Sequence, residues 1–305
     1  MKNIVIAGGT GHIGSSLAYR LVKEGYRVTI LTRSSIKSPD ASLNYIFWDG
    51  QTLGPWTEYL EDSDVLINLC GKSVNCRYTE SNKLKLIQSR VRSTTVLGDA
   101  IKHAARPPRL WINASSSAYY GFSSDIKDER AASGNDFPAR LCEEWEKAFW
   151  ASSTPDTRKI AWRLGVVLQH KKGLIMPFAY LVKSFVGGKL GSGKQYFTWI
   201  HEEDFLKAAL WSIENPLAVG VYNLTSPEPV TNTVFMRALR NAMGLRVGIS
   251  LPEWLMEIGG KIIGTEPYLI LDGRRIIPGI LVDSGFKFQY PEIQNSLNDL
   301  FKSDS

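Results

Sequence analysis

The sequence predicts an α/β fold with a doubly wound, parallel sheet and a smaller C-terminal lobe. Short apolar segments alternate with amphipathic helical segments from the second residue onward, which is typical of βαβ units. The chain has 305 residues, of which 44% are hydrophobic, enough for a large core. This rhythm loosens after about residue 170, where glycine and aromatic residues dominate 173–200.

Six segments of the first half predict strands of one sheet. They are short and rich in apolar residues, and the fourth has no polar alternation except Asn68, as expected for a strand covered on both faces. The segments are 2–7, 27–31, 45–48, 64–69, 110–114 and 160–168.

Three helices are predicted between these strands. Ile13, Leu17 and Leu21 recur at helical spacing, and Gly25 ends that helix. A second helix covers 84–105 and stops before two prolines. The third covers 137–151, with Glu143 placed to pair with Lys147.

The C-terminal half predicts fewer regular elements. A helix covers 202 to about 213, with three acidic residues in its first turn and His201 as its cap. A strand at 221–224 is expected to join the main sheet, and Thr231 to cap a further helix that Gly244 ends. We therefore assign 1–169 to a nucleotide-binding domain and 170–305 to a substrate lobe that includes a small domain at about 250–298.

Composition narrows the functional classes. The net charge is +6, but Lys and Arg are scattered, so nucleic-acid binding is disfavoured relative to an ordinary solvated surface or a phosphorylated ligand. The three cysteines have no paired spacing, the four histidines suggest no metal site, and no apolar run approaches the length of a membrane span. No signal peptide is evident before the first strand, and we expect a cytoplasmic protein.

The segment IVIAGGTGHIG contains two overlapping glycine patterns. Gly9, Gly11 and Gly14 fit G-x-G-x-x-G, while Gly8, Gly11 and Gly14 fit G-x-x-G-x-x-G. The glycines follow a strand and open a helix, where a pyrophosphate meets unpaired N–H groups. This context predicts a Rossmann-type nucleotide site over the alternative, an ordinary Gly-rich turn.

The end of the second strand indicates which nucleotide binds. NAD sites usually place an acidic residue here, but this chain has Arg33, followed by Ser34 and Ser35, with Lys37 nearby. A guanidinium suits a phosphate dianion, so we predict NADP(H) as the cofactor. The alternative is a solvent-exposed arginine.

A second glycine cluster, 188–194, satisfies the first part of the P-loop pattern. Gln195 stands where that motif needs Ser or Thr for Mg²⁺, and the next residues suggest a strand instead of a helix. We therefore reject an ATPase, although this loop remains a candidate contact for an anionic substrate.

The motifs GGTGHIG, DVLINLCG, NASSSAYYG and WIHEED, in this order, resemble the extended short-chain dehydrogenase/reductases. Together with RRIIPGILVDSGFKFQYP near the C-terminus, the chain is most similar to their nucleotide-sugar epimerase-like branch. The resemblance implies that the cofactor-binding residues are Gly8, Thr10, Gly11, His12, Ile13, Gly14, Arg33, Asp49, Leu69, Cys70, Gly71, Ala114 and Arg163. For Asp49, a plain Asp-Gly turn is an equal alternative.

The chain departs from the family at the catalytic dyad. The resemblance calls for Tyr-x-x-x-Lys after the fifth strand, but Phe137 and Leu141 occupy these positions, and neither transfers a proton. The resemblance places Ser115 or Ser116 at the position of the family's active-site Ser/Thr. Tyr119 and Tyr120 are the candidates to replace the missing acid, and their alternative is aromatic packing. Other titratable candidates are Lys83, Cys142 and His201.

Two functional hypotheses follow. The first is an NADP(H)-dependent epimerase or oxidoreductase that acts on a nucleotide-sugar or similar small molecule by hydride transfer. The second is a non-catalytic NADP(H) sensor, which the missing dyad favours and the substrate lobe disfavours. The resemblance also suggests a homodimer, while no nucleic-acid or membrane partner is expected.

Overall fold

The computed structural model describes residues 2–34, 42–263, 266, 271 and 273–301. The strands are β1 (Asn3–Ala7), β2 (Arg27–Thr32), β3 (Leu43–Phe47), β4 (Val65–Asn68), β5 (Leu110–Ser116), β6 (Ser123–Lys127), β7 (Arg158–Leu164), β8 (Val166–Leu168), β9 (Tyr196–Phe197), β10 (Trp199–His201), β11 (Gly220–Leu224), β12 (Val230–Thr231) and β13 (Arg274–Ile276). The helices are α1 (His12–Lys23), α2 (Glu80–His103), α3 (Phe137–Ala151), α4 (Ile175–Lys183), α5 (Glu202–Glu214), α6 (Asn232–Ala242), α7 (Glu253–Ile263), α8 (Gly279–Asp283) and α9 (Ile293–Phe301), with 3-10 turns at Pro55–Leu60 and Ser117–Tyr120.

Seven of these strands form one parallel sheet in the spatial order β11-β7-β5-β4-β1-β2-β3. The chain runs outward from β1 to β3, returns to β4 on the other side of β1, and then runs outward again. This reversal makes the gap between β1 and β4 a topological switch point, where ligands of doubly wound sheets bind. The α/β fold class expected from the sequence is confirmed.

Apolar residues cover both faces of the sheet. In β1, Ile4 and Ile6 pack on one face with Leu17 of α1 and Phe205 of α5. Val5 and Ala7 face the other way, into a cluster with helices α2 and α3. Because parallel strands are buried on both faces, their continuous apolar runs were recognisable in the sequence.

The C-terminal lobe has its own apolar cluster, built by α4, α6 and α9 together with Trp199. Beside it, β9 pairs antiparallel with β12, and β8 pairs parallel with β10. None of the described helices is both long and apolar enough to cross a membrane.

The predicted sixth strand is wrong in one respect, since it divides at Gly165. β7 stays in the central sheet beside β11, but β8 leaves it to pair with β10. A Cβ at Gly165 would lie 3.1 Å from Thr225 Cγ2 and 3.3 Å from the Thr198 carbonyl oxygen, so the chain turns where only a small residue fits.

The observed start of α2 differs from the predicted one because a polar capping residue determines it. α2 begins four residues before its predicted start because the Thr79 hydroxyl accepts the N–H of Asn82. α3 has the predicted bounds, and Asp136 caps it through the N–H of Ala139. The expected Glu143–Lys147 pair is not formed, since Glu143 accepts a hydrogen bond from Ser133 instead.

Candidate functional site

The glycine loop joins β1 to α1 at the switch point. Gly8 has φ +81°, and a Cβ there would lie 2.9 Å from the Leu69 carbonyl carbon. A Cβ at Gly14 would lie 2.6 Å from the Gly8 carbonyl oxygen. Both positions therefore require glycine for the loop to fold against its own neighbours.

Gly11 differs from these two glycines. The heavy atom nearest to a Cβ at Gly11 would be 3.8 Å away, so its surroundings are open. Gly11 is also the N-cap of α1, and no side chain in the described part of the chain caps this helix. An anion above Gly11 can approach the backbone closely and meet free N–H groups at the positive end of α1. The loop therefore fits a pyrophosphate, and the exposed Thr10 and His12 and half-buried Ile13 border it.

Residues after β2 and β3 lie along the same edge of the sheet. Arg33 follows β2 and is exposed, while Ser35 and Lys37 lie outside the described residues. The Asp49 carboxylate accepts the Thr52 hydroxyl at 2.6 Å and the N–H groups of Thr52 and Gln51. These bonds, that of the Thr52 side chain foremost, lower the pKa of Asp49. Asp49 thus organises a turn, and its contact with the cofactor stays a prediction.

The segment after β4 is fixed from beneath by a buried amide pair. The Asn68 side-chain amide donates to Asn113 Oδ1 at 2.7 Å, and Asn68 Oδ1 accepts the Cys70 N–H at 3.1 Å. The predicted contacts Leu69, Cys70 and Gly71 are therefore held beside the glycine loop, where the Leu69 N–H donates to the Ala7 carbonyl at 2.8 Å. Burial raises the pKa of Cys70 to about 12, so its sulfur stays a neutral thiol.

The serines at the end of β5 point to different surroundings. Ala114 and Ser115 are buried, and Ser115 Oγ donates to Glu146 Oε1 at 2.5 Å. Ser116 is half-buried, and its Oγ accepts the Ala118 N–H at the start of the 3-10 turn. Ser116 is therefore the serine that remains accessible from the edge of the sheet.

Arg163 is bound inside the protein by Glu146. Its Nε and Nη2 donate to the two oxygens of Glu146 at 2.9 and 2.8 Å, and both residues are 4% exposed. Burial acts to lower the pKa of Arg163, but the bonds to Glu146 outweigh it and the pKa is raised. The resemblance assigned Arg163 to the cofactor. The structure instead gives its charge an internal partner.

The adjacent tyrosines also have different environments. Tyr120 is fully buried, and its hydroxyl donates to Asn223 Oδ1 at 2.7 Å and accepts from Arg163 at 2.9 Å. Burial raises the pKa of Tyr120 to about 12. Tyr119 is half-buried, with its ring centroid 3.3 Å from the Arg163 guanidinium carbon. Of the two, Tyr119 has the more accessible phenol.

The dyad positions on α3 carry no proton donor. Phe137 starts the helix, and its ring lies 4.9 Å from that of Tyr78 and 5.5 Å from Lys83 Nζ. Leu141 is buried one turn later. Burial also raises the pKa of Cys142 to about 11.

His201 caps α5 through the Glu203 N–H, as the sequence predicted. Among the described residues, no group of three or more His, Cys, Asp and Glu side chains is arranged to hold a metal ion.

The sequence did not identify four residues as part of the site: Asn68, Asn113, Glu146 and Tyr78. The two asparagines carried a signal, because each is the polar exception within an apolar strand. Glu146 carried no such signal, because a glutamate within a helix is usually exposed to solvent. Its partner Arg163 lies on a different element, β7.

Comparison with known proteins places this geometry in a family. Residues 4–142 match the NAD dependent epimerase/dehydratase family, and residues 251–300 match a domain of unknown function, DUF1731. An epimerase family protein of Staphylococcus haemolyticus is 32% identical over 304 residues, covering 98% of this chain and 99% of the relative.

Two solved structures are similar over nearly the whole chain. The human epimerase family protein SDR39U1 (isoform 2), solved with NADPH, has a TM-score of 0.87 and 28% identity, covering 98% of this chain and 99% of its own. A nucleoside-diphosphate sugar epimerase from Corynebacterium glutamicum has a TM-score of 0.79 and 26% identity, covering 99% of this chain and 58% of its own. The chain therefore belongs to the epimerase family, with an NAD(P)-binding Rossmann fold of the epimerase/dehydratase type and a C-terminal DUF1731 domain.

Proposed function

We propose that this chain is an NADP(H)-dependent epimerase or oxidoreductase that acts on a nucleotide-sugar or a similar small molecule. The observation that carries the proposal is Gly11, which is open to approach above the uncapped N-terminus of α1. Gly8 and Gly14 are packed against backbone atoms, whereas Gly11 has room above it. A pyrophosphate would lie at Gly11.

The choice of NADP(H) rests on Arg33. This residue is exposed at the end of β2, where an NAD site would usually carry an acidic side chain. A guanidinium can donate two parallel hydrogen bonds to a 2′-phosphate. The NADPH in the human relative supports the same choice. Thr10, His12, Ile13, Leu69, Cys70, Gly71 and Ala114 would complete the cofactor site.

A bound nicotinamide cofactor would supply reversible hydride exchange. The residues of this chain would orient the substrate and handle its proton. We assign the contact with a substrate oxygen to the accessible Ser116 hydroxyl and Tyr119 phenol. Ser115 and Tyr120 are positioning residues in this scheme, because both are hydrogen-bonded to the Glu146–Arg163 pair. The substrate would enter from the lobe formed by 170–305.

The cofactor assignment is tested by replacing Arg33. Arg33→Ala should weaken NADPH binding by about 10- to 100-fold, since charge-assisted hydrogen bonds contribute about 1.5–3 kcal/mol. NADH affinity should not change. Arg27→Ala, an exposed arginine at the other end of β2, is the matched control. Equal losses for both cofactors, or none for NADPH, would remove Arg33 from the site.

The dyad positions favour a second candidate, an NADP(H)-binding sensor without turnover. Phe137 and Leu141 transfer no proton, so an ordinary reductase mechanism is not available on α3. A screen of carbonyl and sugar-nucleotide substrates for hydride transfer separates the two functions. Turnover of any substrate supports the enzyme, and its absence from a broad panel with cofactor bound supports the sensor.

A further inference from the structure

A cavity of about 350 Å³ opens beside Phe137, at the position where the family's catalytic tyrosine is missing. Its volume can admit a ring system of one or two rings. It is lined, among the described residues, by Tyr78, Lys83, Phe122, Asp136, Phe137, Pro138 and Glu266.

Aromatic side chains provide much of the wall. Tyr78 and Phe137 meet edge to face, with ring centroids 4.9 Å apart and an interplanar angle of 73°. Phe122 contributes a third ring, and the Arg274 guanidinium lies 4.8 Å from its centroid. Rings that are held in fixed orientations favour a flat aromatic ligand, because offset-stacked and edge-to-face contacts between rings add to the gain from the apolar area that any ligand would bury.

The two acidic residues of the cavity are already engaged by the protein. Asp136 accepts the N–H groups of Ala139 and Phe122, one at each carboxylate oxygen, at 2.8 and 3.0 Å. Glu266 accepts the Tyr78 N–H at 2.6 Å and lies 3.5 Å from Arg77 Nε. Arg77 therefore offsets the charge of Glu266, while Asp136 keeps its negative charge, stabilised by two N–H donors.

Lys83 differs from these acids. Its ammonium lies 5.5 Å from the centroid of Phe137, and its side chain is only 28% exposed. It pairs with Glu80 at 2.8 Å, but the Glu80 side chain is 90% exposed, so water screens that attraction. A carboxylate inside the cavity would meet Lys83 in a drier setting than Glu80 does.

A second cation, Arg90, lies close enough to Tyr78 to act on its pKa. Arg90 is half-buried, its guanidinium is 5.0 Å from the Trp145 ring, and it donates to the carbonyls of Lys72 and Leu86. No carboxylate among the described residues forms an ion pair with it. Burial lowers the pKa of Arg90, while its charge acts to lower that of Tyr78, so the two groups are electrostatically coupled.

We infer that this cavity is the subsite for a planar ring that carries a carboxylate, stacked against Tyr78 and Phe137 and paired with Lys83. The inference rests on the proposed function and selects a planar aromatic acid over a sugar as the part of the substrate nearest α3. Phe137 then has a role of its own, as a stacking surface in place of a proton donor.

The experiment measures binding of four probes to NADP⁺-saturated protein by isothermal titration calorimetry. The probes are naphthoate, its neutral amide, the saturated decalin carboxylate, and UDP-glucose. Naphthoate should bind at least about tenfold more tightly than the amide or the decalin acid, because only it offers both a flat face and a charge. UDP-glucose should not compete with naphthoate.

Three variants locate the site. Lys83→Met should remove the preference for naphthoate over the amide, and Lys83→Arg should restore it. Phe137→Leu should weaken naphthoate and amide alike, by about threefold to tenfold, and leave the decalin acid unchanged. Lys102→Met, an exposed lysine at the other end of α2, is the control.

The inference is overturned if naphthoate and its amide bind equally, if Lys83→Met has no effect, or if UDP-glucose displaces naphthoate. NADP⁺ binding is measured first on the same samples. Its failure would contradict the proposed function, whereas probe failure on NADP⁺-loaded protein contradicts only the subsite.

Discussion

Replacing Arg163 with methionine removes the cation of the buried Glu146–Arg163 pair. Both side chains are about 5% exposed, and two charge-assisted hydrogen bonds of 2.8 and 2.9 Å join them. Arg163→Met leaves the Glu146 carboxylate buried, and among the described residues only the Ser115 hydroxyl remains hydrogen-bonded to it. Breaking a buried pair in this way costs about 3–5 kcal/mol of unfolding free energy.

This loss is a large share of the stability of a typical protein, which is about 5–15 kcal/mol. At about 2 °C per kcal/mol for a chain of this size, the melting temperature should fall by ~6–10 °C. Urea unfolding should give the same loss in free energy. Arg109→Met, at an exposed arginine before β5, should change neither quantity measurably.

A double-mutant cycle isolates the pair. Glu146→Gln combined with Arg163→Met should be more stable than the sum of the single losses predicts, by at least about 1 kcal/mol, because neither charge is then left unpaired. The reasoning is refuted if the single losses are below about 1 kcal/mol, or if they add within about 0.5 kcal/mol. It is also refuted if Arg163→Met retains full stability but loses NADPH affinity, since Arg163 would then act as a cofactor contact.

Three further predictions concern the loop, the tyrosines and the α5 cap. Gly14→Ala should destabilise the fold, since its Cβ would lie 2.6 Å from the Gly8 carbonyl oxygen. Gly11→Ala should melt at the normal temperature but bind NADPH more weakly. Equal behaviour of the two variants would contradict the loop geometry. Tyr120→Phe should lower the unfolding free energy by about 1–3 kcal/mol, because Asn223 and Arg163 lose a buried partner. Tyr119→Phe should leave stability intact. The reverse order in urea unfolding would contradict the buried position of Tyr120 and the more accessible position of Tyr119. Burial lowers the pKa of His201, so the unfolded chain takes up its proton first and stability should fall as the pH drops below about 6.5. His201→Asn, which keeps a capping side chain, should flatten that pH dependence of melting, and an unchanged slope would exclude His201 as its source.

The sequence predicted those parts of the fold that local patterns determine. β1 and β4 are apolar runs with one asparagine each, and α3 has apolar residues at helical spacing, so the strands and the helix could be located. The break at Gly165 could not, because β8 is as apolar as β7. Contacts with Thr198 and Thr225, distant in sequence, direct the chain out of the sheet.

The candidate site could likewise be predicted from the sequence only in part. The glycine loop and Arg33 follow strands directly, so their place at the edge of the sheet could be inferred from order alone. The environments of Ser115, Tyr120 and Arg163 depend on Glu146, which lies on another element. The cavity at Phe137 also needs Tyr78 and Lys83, which lie just before and within the first turn of α2, and no spacing in the sequence brings these three residues together.

The most direct test of the central claim, that this chain holds NADP(H), is native mass spectrometry in equimolar NADPH and NADH. The account predicts that the complex carries the added mass of NADPH, and that Arg33→Ala loses this preference. A protein that remains bare, or one that takes NADH as readily as NADPH, would contradict the account.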